Sequence, residues 1–335
     1  MVLVIAEAGV NHNGDIELAK KLIDAAKEAG ADYVKFQTFK ATNLATRQAP
    51  KAQYQEEKHD SSSQLEMLQK LELTDADHDL LIEHCKKRQI RFLSTAFDLE
   101  SIDLLERKGI DLFKIPSGEI TNLPYLKKTG SLKKPVILST GMCTMDEIRD
   151  AISVLESSGT KKEHITVLHC TTDYPTNFHD VNLNAMRSIQ QELNIPIGYS
   201  DHTKGIEVAI AAVALGAVVV EKHFTLDRGL PGPDHKASLE PPELRAMVSA
   251  IRNIEAAMGN ATKQPTPTEL QNRIVARKSV HVLNGVSAGH ILRESDLVMK
   301  RPGNGISPMK LSEVVGKKTK RDLSSDYLLK WEDLE

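Results

Sequence analysis

Two lysines stand inside apolar runs, as Val34-Lys35-Phe36 and Phe113-Lys114-Ile115. An ammonium group taken out of water without a charge partner is costly, so each position asks for an anion. Ser117, Ser139 and Ser200 end other apolar runs. Ammonium groups that neutralise anionic oxygens, with hydroxyls and loop N–H groups supplying further hydrogen bonds, make a set suited to a phosphorylated carboxylic acid. His202 and His223 close two more runs, in Ser200-Asp201-His202 and Glu221-Lys222-His223. If the runs are neighbours, the two imidazoles could converge on one cation and leave its other positions to water and substrate. Two nitrogen ligands completed by oxygen favour an open catalytic site for a divalent ion such as Mn2+ over a closed structural zinc. The plain alternative is a pair of ordinary hydrogen-bonded histidines on a wet rim. Such a rim accounts for many of the remaining polar run ends, which are Glu7, Asn11 and His12, Gln37, Thr95, Glu119, Thr140, and His169 with Thr171, Thr172 and Tyr174. It does not account for lysines flanked by apolar residues.

The elements that must position these groups follow from the spacing of apolar residues. Short runs rich in Val and Ile recur at Leu3–Ala6, Tyr33–Phe36, Arg91–Ser94, Leu112–Ile115, Pro135–Leu138, Ile165–Leu168, Ile195–Tyr199 and Ala217–Val220. Near-continuous apolar runs suit strands buried on both faces, and the intervening segments carry helical spacing, as with Leu18, Leu22, Ala25, Ala26 and Ala29. Asp15 and Thr74 sit where helix caps belong, Thr144 and Glu147 have the spacing of a capping box, and Gly30, Gly109, Gly159 and Gly216 sit at helix stops. Alternating strand and helix implies a parallel sheet. Eight such units match the size of a closed (β/α)8 TIM barrel, an α/β fold whose active site lies at the C-terminal strand ends. The barrel is expected over residues 1–260. Thr38–Ser63 is polar and without periodicity, and reads as a long loop over the barrel mouth, a candidate lid.

NATKQPTPT, from Asn260, carries spaced prolines and predicts an extended linker over 261–275. Beyond it, Lys278–Leu283, Gly289–Leu297 and Val298–Arg301 read as short strands separated by Asn-Gly, Ala-Gly and Pro-Gly-Asn-Gly turns, in a small domain over 276–335. The charge balance is near even, with 43 Lys and Arg against 46 Asp and Glu, so no global basic field invites nucleic acid or an anionic membrane. MVLVIAEAGV reads as a strand rather than a signal peptide, and no apolar run reaches the roughly 18 residues of a membrane span. Three dispersed cysteines do not make a disulfide frame. These features predict a cytoplasmic protein.

AEAGVNHNGD, VKFQTFK, STAFD, FKIPSGEI, ILSTGM, HCTTDYPT, GYSDHT, EKHFT, GPDHKASL and KRPGNGI resemble, in order and over nearly the whole chain, the motifs of the sialic acid synthase family. The resemblance implies a barrel followed by a C-terminal antifreeze-like (SAF) cap, and a domain-swapped homodimer in which each cap closes its partner's barrel. It implies condensation of phosphoenolpyruvate with an amino-sugar aldehyde, with a divalent metal, Mn2+ ahead of Mg2+ or Co2+, held by His202 and His223. Lys35, Thr95, Lys114, Ser117, Ser139 and Ser200 would hold phosphoenolpyruvate. Glu7, Gln37, Glu119, Tyr174 and Asp234 would line the metal and sugar site, with Glu7 or Glu119 as general base, and Arg301 would reach in from the other subunit. Sialic acid synthases proper tend to have Asn at the place of Thr172. HCTTDYPT, ITNLPYLKK and GPDHKASLEP are similar instead to the legionaminic acid branch, whose substrate is a 2,4-diacetamido-2,4,6-trideoxymannose. N-acetylneuraminate and pseudaminate synthesis are the alternatives within the family. Outside it stand a Schiff-base aldolase using Lys114 and a non-enzymatic sugar-binding barrel. For the small domain alone, the alternative is a plain oligomerisation unit.

Overall fold

The computed structural model describes residues 1–46, 48, 49 and 63–335. It divides into two compact units, Met1–Gly259 and Asn260–Glu335. In the first, the apolar runs form eight strands: β1 Leu3–Gly9, β2 Tyr33–Thr38, β3 Arg91–Ala96, β4 Phe113–Ile115, β5 Val136–Ser139, β6 Ile165–His169, β7 Ile197–Asp201 and β8 Val219–His223. All neighbours are parallel, and β1 pairs with both β2 and β8, so the sheet closes into a barrel. Glu7 therefore stands opposite Lys35 on one side and His223 on the other. The strands are buried almost throughout, because helices cover the outer face while side chains fill the interior.

Local chemistry sets where the helices begin and end. Asp15 accepts from the N–H groups of Glu17 and Leu18 to start Ile16–Ala29, and Gly30 ends that helix at φ 86°, a left-handed conformation that glycine adopts without strain. Leu22, Ile23 and Ala26 of the helix are buried against the barrel core. Thr144 with Glu147 and Thr74 with Asp77 both close reciprocal capping boxes. After Thr38 the chain makes a short helix over Ala41–Leu44, and a further helix spans Gln64–Leu71. Most of the lid expected over Thr38–Ser63 lies outside the described residues.

In the second unit, β9 Ser279–Val282 and β10 Leu297–Lys300 pair antiparallel around a small core that includes Val280, Leu292, Ile306, Val314 and Leu329. Two expectations are corrected here. The extended linker instead carries a helix over Pro267–Ala276: Thr266 caps it, and Pro267 sits at its first position, where a missing N–H costs nothing. The strand expected over Gly289–Leu297 is mostly irregular, with a single bridge from Ile291 to Lys318, since the Ala288–Gly289 turn leaves too few residues to build a ladder before a 3-10 turn at Glu294–Asp296. Among the described residues no helix is long and apolar enough to cross a membrane.

His12 supplies a test of the packing beside β1. It is fully buried; its Nδ1 accepts from Gly14 N at 3.0 Å and its Nε2 has no partner. Burial lowers its pKa from 6.5 to about 4, against the attraction of Asp77. An imidazole that stays neutral in the folded state and charges in the unfolded one contributes stability in full above about pH 6.5 and loses it as pH falls through about 4, a span worth about 3 kcal/mol. In His12→Asn, whose amide oxygen can replace Nδ1 as acceptor, urea denaturation at pH 7 and pH 4.5 should show a shallower acid loss than in the parent by about that amount. An unchanged difference would mean that His12 titrates normally.

Candidate active site

The C-terminal strand ends converge on a cavity of about 330 Å3. Among the candidates read from the sequence, Glu7, Lys35, Gln37, Thr95, Lys114, Ser117, Ser139, Thr172, Tyr174, Ser200, His202, His223 and Asp234 all line it. Glu119 is not among these lining residues. Glu119 lies in the 3-10 turn Ser117–Glu119, half-buried, and takes a 2.6 Å hydrogen bond from Asn122. That turn, whose Ser117 and Gly118 line the cavity, sets the Glu119 carboxylate against Asn122 at the start of the next helix. Arg301 belongs to the C-terminal unit, where it is exposed and donates from Nε to Ala276 O at 3.1 Å.

The floor of the cavity is a charge cluster. Lys35 Nζ lies 2.8 Å from Glu7 and 3.5 Å from Glu221, and donates to Thr95 Oγ1 at 2.8 Å. Lys114 Nζ lies 3.5 Å from the same Glu221 and donates to Ser139 Oγ at 2.7 Å. Ser200 Oγ donates to Glu221 at 3.0 Å. Glu221, which the sequence places at a strand end without a role, is thus the carboxylate between the two lysines. Burial alone would raise its pKa, but Lys114 and Lys35 outweigh that and hold it down to about 2. Glu7 has one lysine and a second carboxylate beside it. Burial and Glu221 push it up to about 7, against the pull of Lys35. The lysines thus push Glu221 down while burial pushes Glu7 up.

Gly9 is another residue of the site that its residue type alone does not single out. It holds φ 53°, and a Cβ there would come within 3.3 to 3.4 Å of Glu7, Asp234 and Gln37 together. A bare backbone lets these three side chains meet. Its signal was present in AEAGVNHNGD only as a glycine two residues after a candidate glutamate.

His202 and His223 lie side by side, with ring centroids 5.6 Å apart, and the Tyr174 ring lies 4.1 Å from that of His202. Thr171 O faces His202 Nδ1 at 2.5 Å; a carbonyl only accepts, so Nδ1 carries the proton and Nε2 keeps its lone pair. His223 Nδ1 is buried with no hydrogen-bond partner, 3.8 Å from Asp234. Burial lowers His202 to about 4 and, with His202 beside it, holds His223 well below its usual range. Asp234 is pushed up to about 6 by burial. Two neutral imidazoles, one with an orphaned buried nitrogen, fit a pair of metal ligands whose remaining positions are open. No group of three or more His, Cys, Asp or Glu suited to a metal occurs among the described residues. Asp201 and Lys222, which alternate with these lining residues, point to the other face as a fully buried ion pair at 2.8 Å.

The NeuB family model matches residues 22–263 and the SAF domain model residues 277–335. The chain is 53% identical over 329 residues to the N,N'-diacetyllegionaminic acid synthase of Campylobacter jejuni, covering 98% of each. It is 48% identical over 335 residues to the protein of that name from Legionella pneumophila, covering 99% of this chain and 94% of the relative. Among solved structures it resembles the N-acetylneuraminic acid (sialic acid) synthetase of Leptospira borgpetersenii, at 34% identity and a TM-score of 0.72, covering 81% of this chain and 90% of that one.

Proposed function

The chain belongs to the NeuB family, and from that premise we propose that it condenses phosphoenolpyruvate with 2,4-diacetamido-2,4,6-trideoxymannose to give N,N'-diacetyllegionaminate and phosphate. The observation that carries this function is one cavity that joins two buried ammonium groups to two neutral imidazoles. The names of the Campylobacter and Legionella relatives support the choice of sugar.

Lys35 and Lys114 neutralise the substrate's anionic groups, while the hydroxyls of Thr95, Ser117, Ser139 and Ser200 fix its orientation. Because both lysines already share Glu221, they sit on rigid partners and do not have to be gathered when the anion arrives. His202 and His223 would hold a divalent cation, Mn2+ before Mg2+ or Co2+, which when bound supplies Lewis-acid activation of the sugar aldehyde. C3 of phosphoenolpyruvate attacks the aldehyde carbon, whose oxygen takes up a proton from solvent and becomes a hydroxyl. Water adds at C2, and Glu7, tuned near neutrality, takes its proton. The C2–O bond to phosphate then breaks, leaving a 2-keto acid. Glu221 is held too acidic for the proton-accepting role by its two lysines. Arg301 completes the sugar site from the partner subunit of a domain-swapped homodimer, and the reaction takes place in the cytoplasm, where phosphoenolpyruvate is made.

Purified protein should be given phosphoenolpyruvate with each of 2,4-diacetamido-2,4,6-trideoxymannose, N-acetylmannosamine and the pseudaminic precursor, with phosphate release scored. We expect the highest kcat/KM with the first and measurable turnover with the second, since replacing a methyl by a hydroxyl in an apolar pocket costs only about 1 to 3 kcal/mol. Preference for N-acetylmannosamine would overturn the branch and leave the family intact.

A further inference from the structure

The cavity has two chemically unlike sides. Besides the charge cluster, Leu44, Met67, Leu68 and Phe97 line it with partly buried apolar surface. They rest on Val10, Phe39 and Leu71, a small apolar cluster separate from the barrel core. Met67, Leu68 and Leu71 come from one face of the helix Gln64–Leu71, whose reciprocal cap at Ser63 and Glu66 fixes where it starts. A cluster that served packing alone would turn its apolar surface inward. This one leaves it facing a polar reaction site.

Phosphoenolpyruvate has charged groups and a two-carbon vinyl unit, all consumed by the charged side. The sugar enters with C1 at the reacting atoms, which leaves C4 to C6 to fall farthest from the lysines. We propose that Leu44, Met67, Leu68 and Phe97 form the subsite for the C6 methyl and the C4 acetamido methyl of the sugar, and that they determine its specificity. This rests on the function proposed above. A C6 hydroxyl directed at this wall gives up its hydrogen bonds to water and finds no partner, whereas a methyl buries surface, a difference of about 10- to 200-fold in kcat/KM.

Met67→Gln and Leu68→Asn keep side-chain size and add hydrogen-bonding groups, and Leu44→Gln does the same from a separate helix, so the outcome does not depend on one helix tolerating change. The quantity to measure is the ratio of kcat/KM for 2,4-diacetamido-2,4,6-trideoxymannose over N-acetylmannosamine, with the KM for phosphoenolpyruvate alongside. We expect the ratio to shrink at least about tenfold while the KM for phosphoenolpyruvate stays within about twofold, and Met67→Leu to restore the parent ratio. A parent that prefers the diacetamido sugar, with variants that keep the ratio or lose both sugars in parallel, would overturn the subsite and spare the function. A parent that prefers N-acetylmannosamine would overturn the function itself.

Discussion

Dialysis against EDTA will stop turnover, by about a thousandfold or more, and Mn2+, Co2+ or Mg2+ will restore it. The size follows from losing Lewis-acid stabilisation worth several kcal/mol at the aldehyde oxygen, at about 1.4 kcal/mol per decade. His202→Ala and His223→Ala should each reproduce the loss while the protein still melts cooperatively. Both imidazoles are kept neutral by burial, and His223 Nδ1 has no hydrogen bond to forfeit. A Schiff-base aldolase acting through Lys114 would survive the chelator and be trapped by borohydride with pyruvate. Full turnover in metal-free buffer would therefore end the synthase mechanism as written.

The second large effect is a recovery. His223→Ala and Arg301→Ala should each be inactive alone, the first through the barrel site and the second because a guanidinium fork no longer reaches the sugar. Mixed in equal amounts under conditions that exchange subunits, random pairing makes half of the dimers mixed. In a swapped arrangement each mixed dimer holds one wholly damaged site and one intact site. Activity should return to about a quarter of the parent value for a symmetric dimer. Recovery is read against a control in which exchange is verified by mass. With exchange verified and no recovery, Arg301 acts within its own chain or not at all.

Much of this was legible in the sequence, for identifiable reasons. Lysines in Val34-Lys35-Phe36 and Phe113-Lys114-Ile115 break an apolar pattern, and burial makes that break meaningful. Eight apolar runs with helical intervals leave few folds open. Glu221 was not legible, because next to Lys222 and His223 it is one polar residue among three, and only closure of the barrel sets it between two distant lysines. Met67 and Leu68 gave no signal, since a cavity wall and a core face share the same helical spacing. The helix at Pro267 was missed by treating proline as a breaker at the one place where it begins a helix.

The pairing of β1 with β8 also sets a timetable for the nascent chain. Glu7 and Lys35 leave the ribosome early, yet Glu221 and His223, their neighbours in the finished cluster, are among the last barrel residues to be made. At about 5 to 20 residues per second, roughly 10 to 40 s of translation separate Glu7 from Glu221. During that time Lys35 has only Glu7 as a carboxylate partner, and Lys114 still lacks Glu221. The charged centre of the site is thus completed only when the last strand closes the barrel.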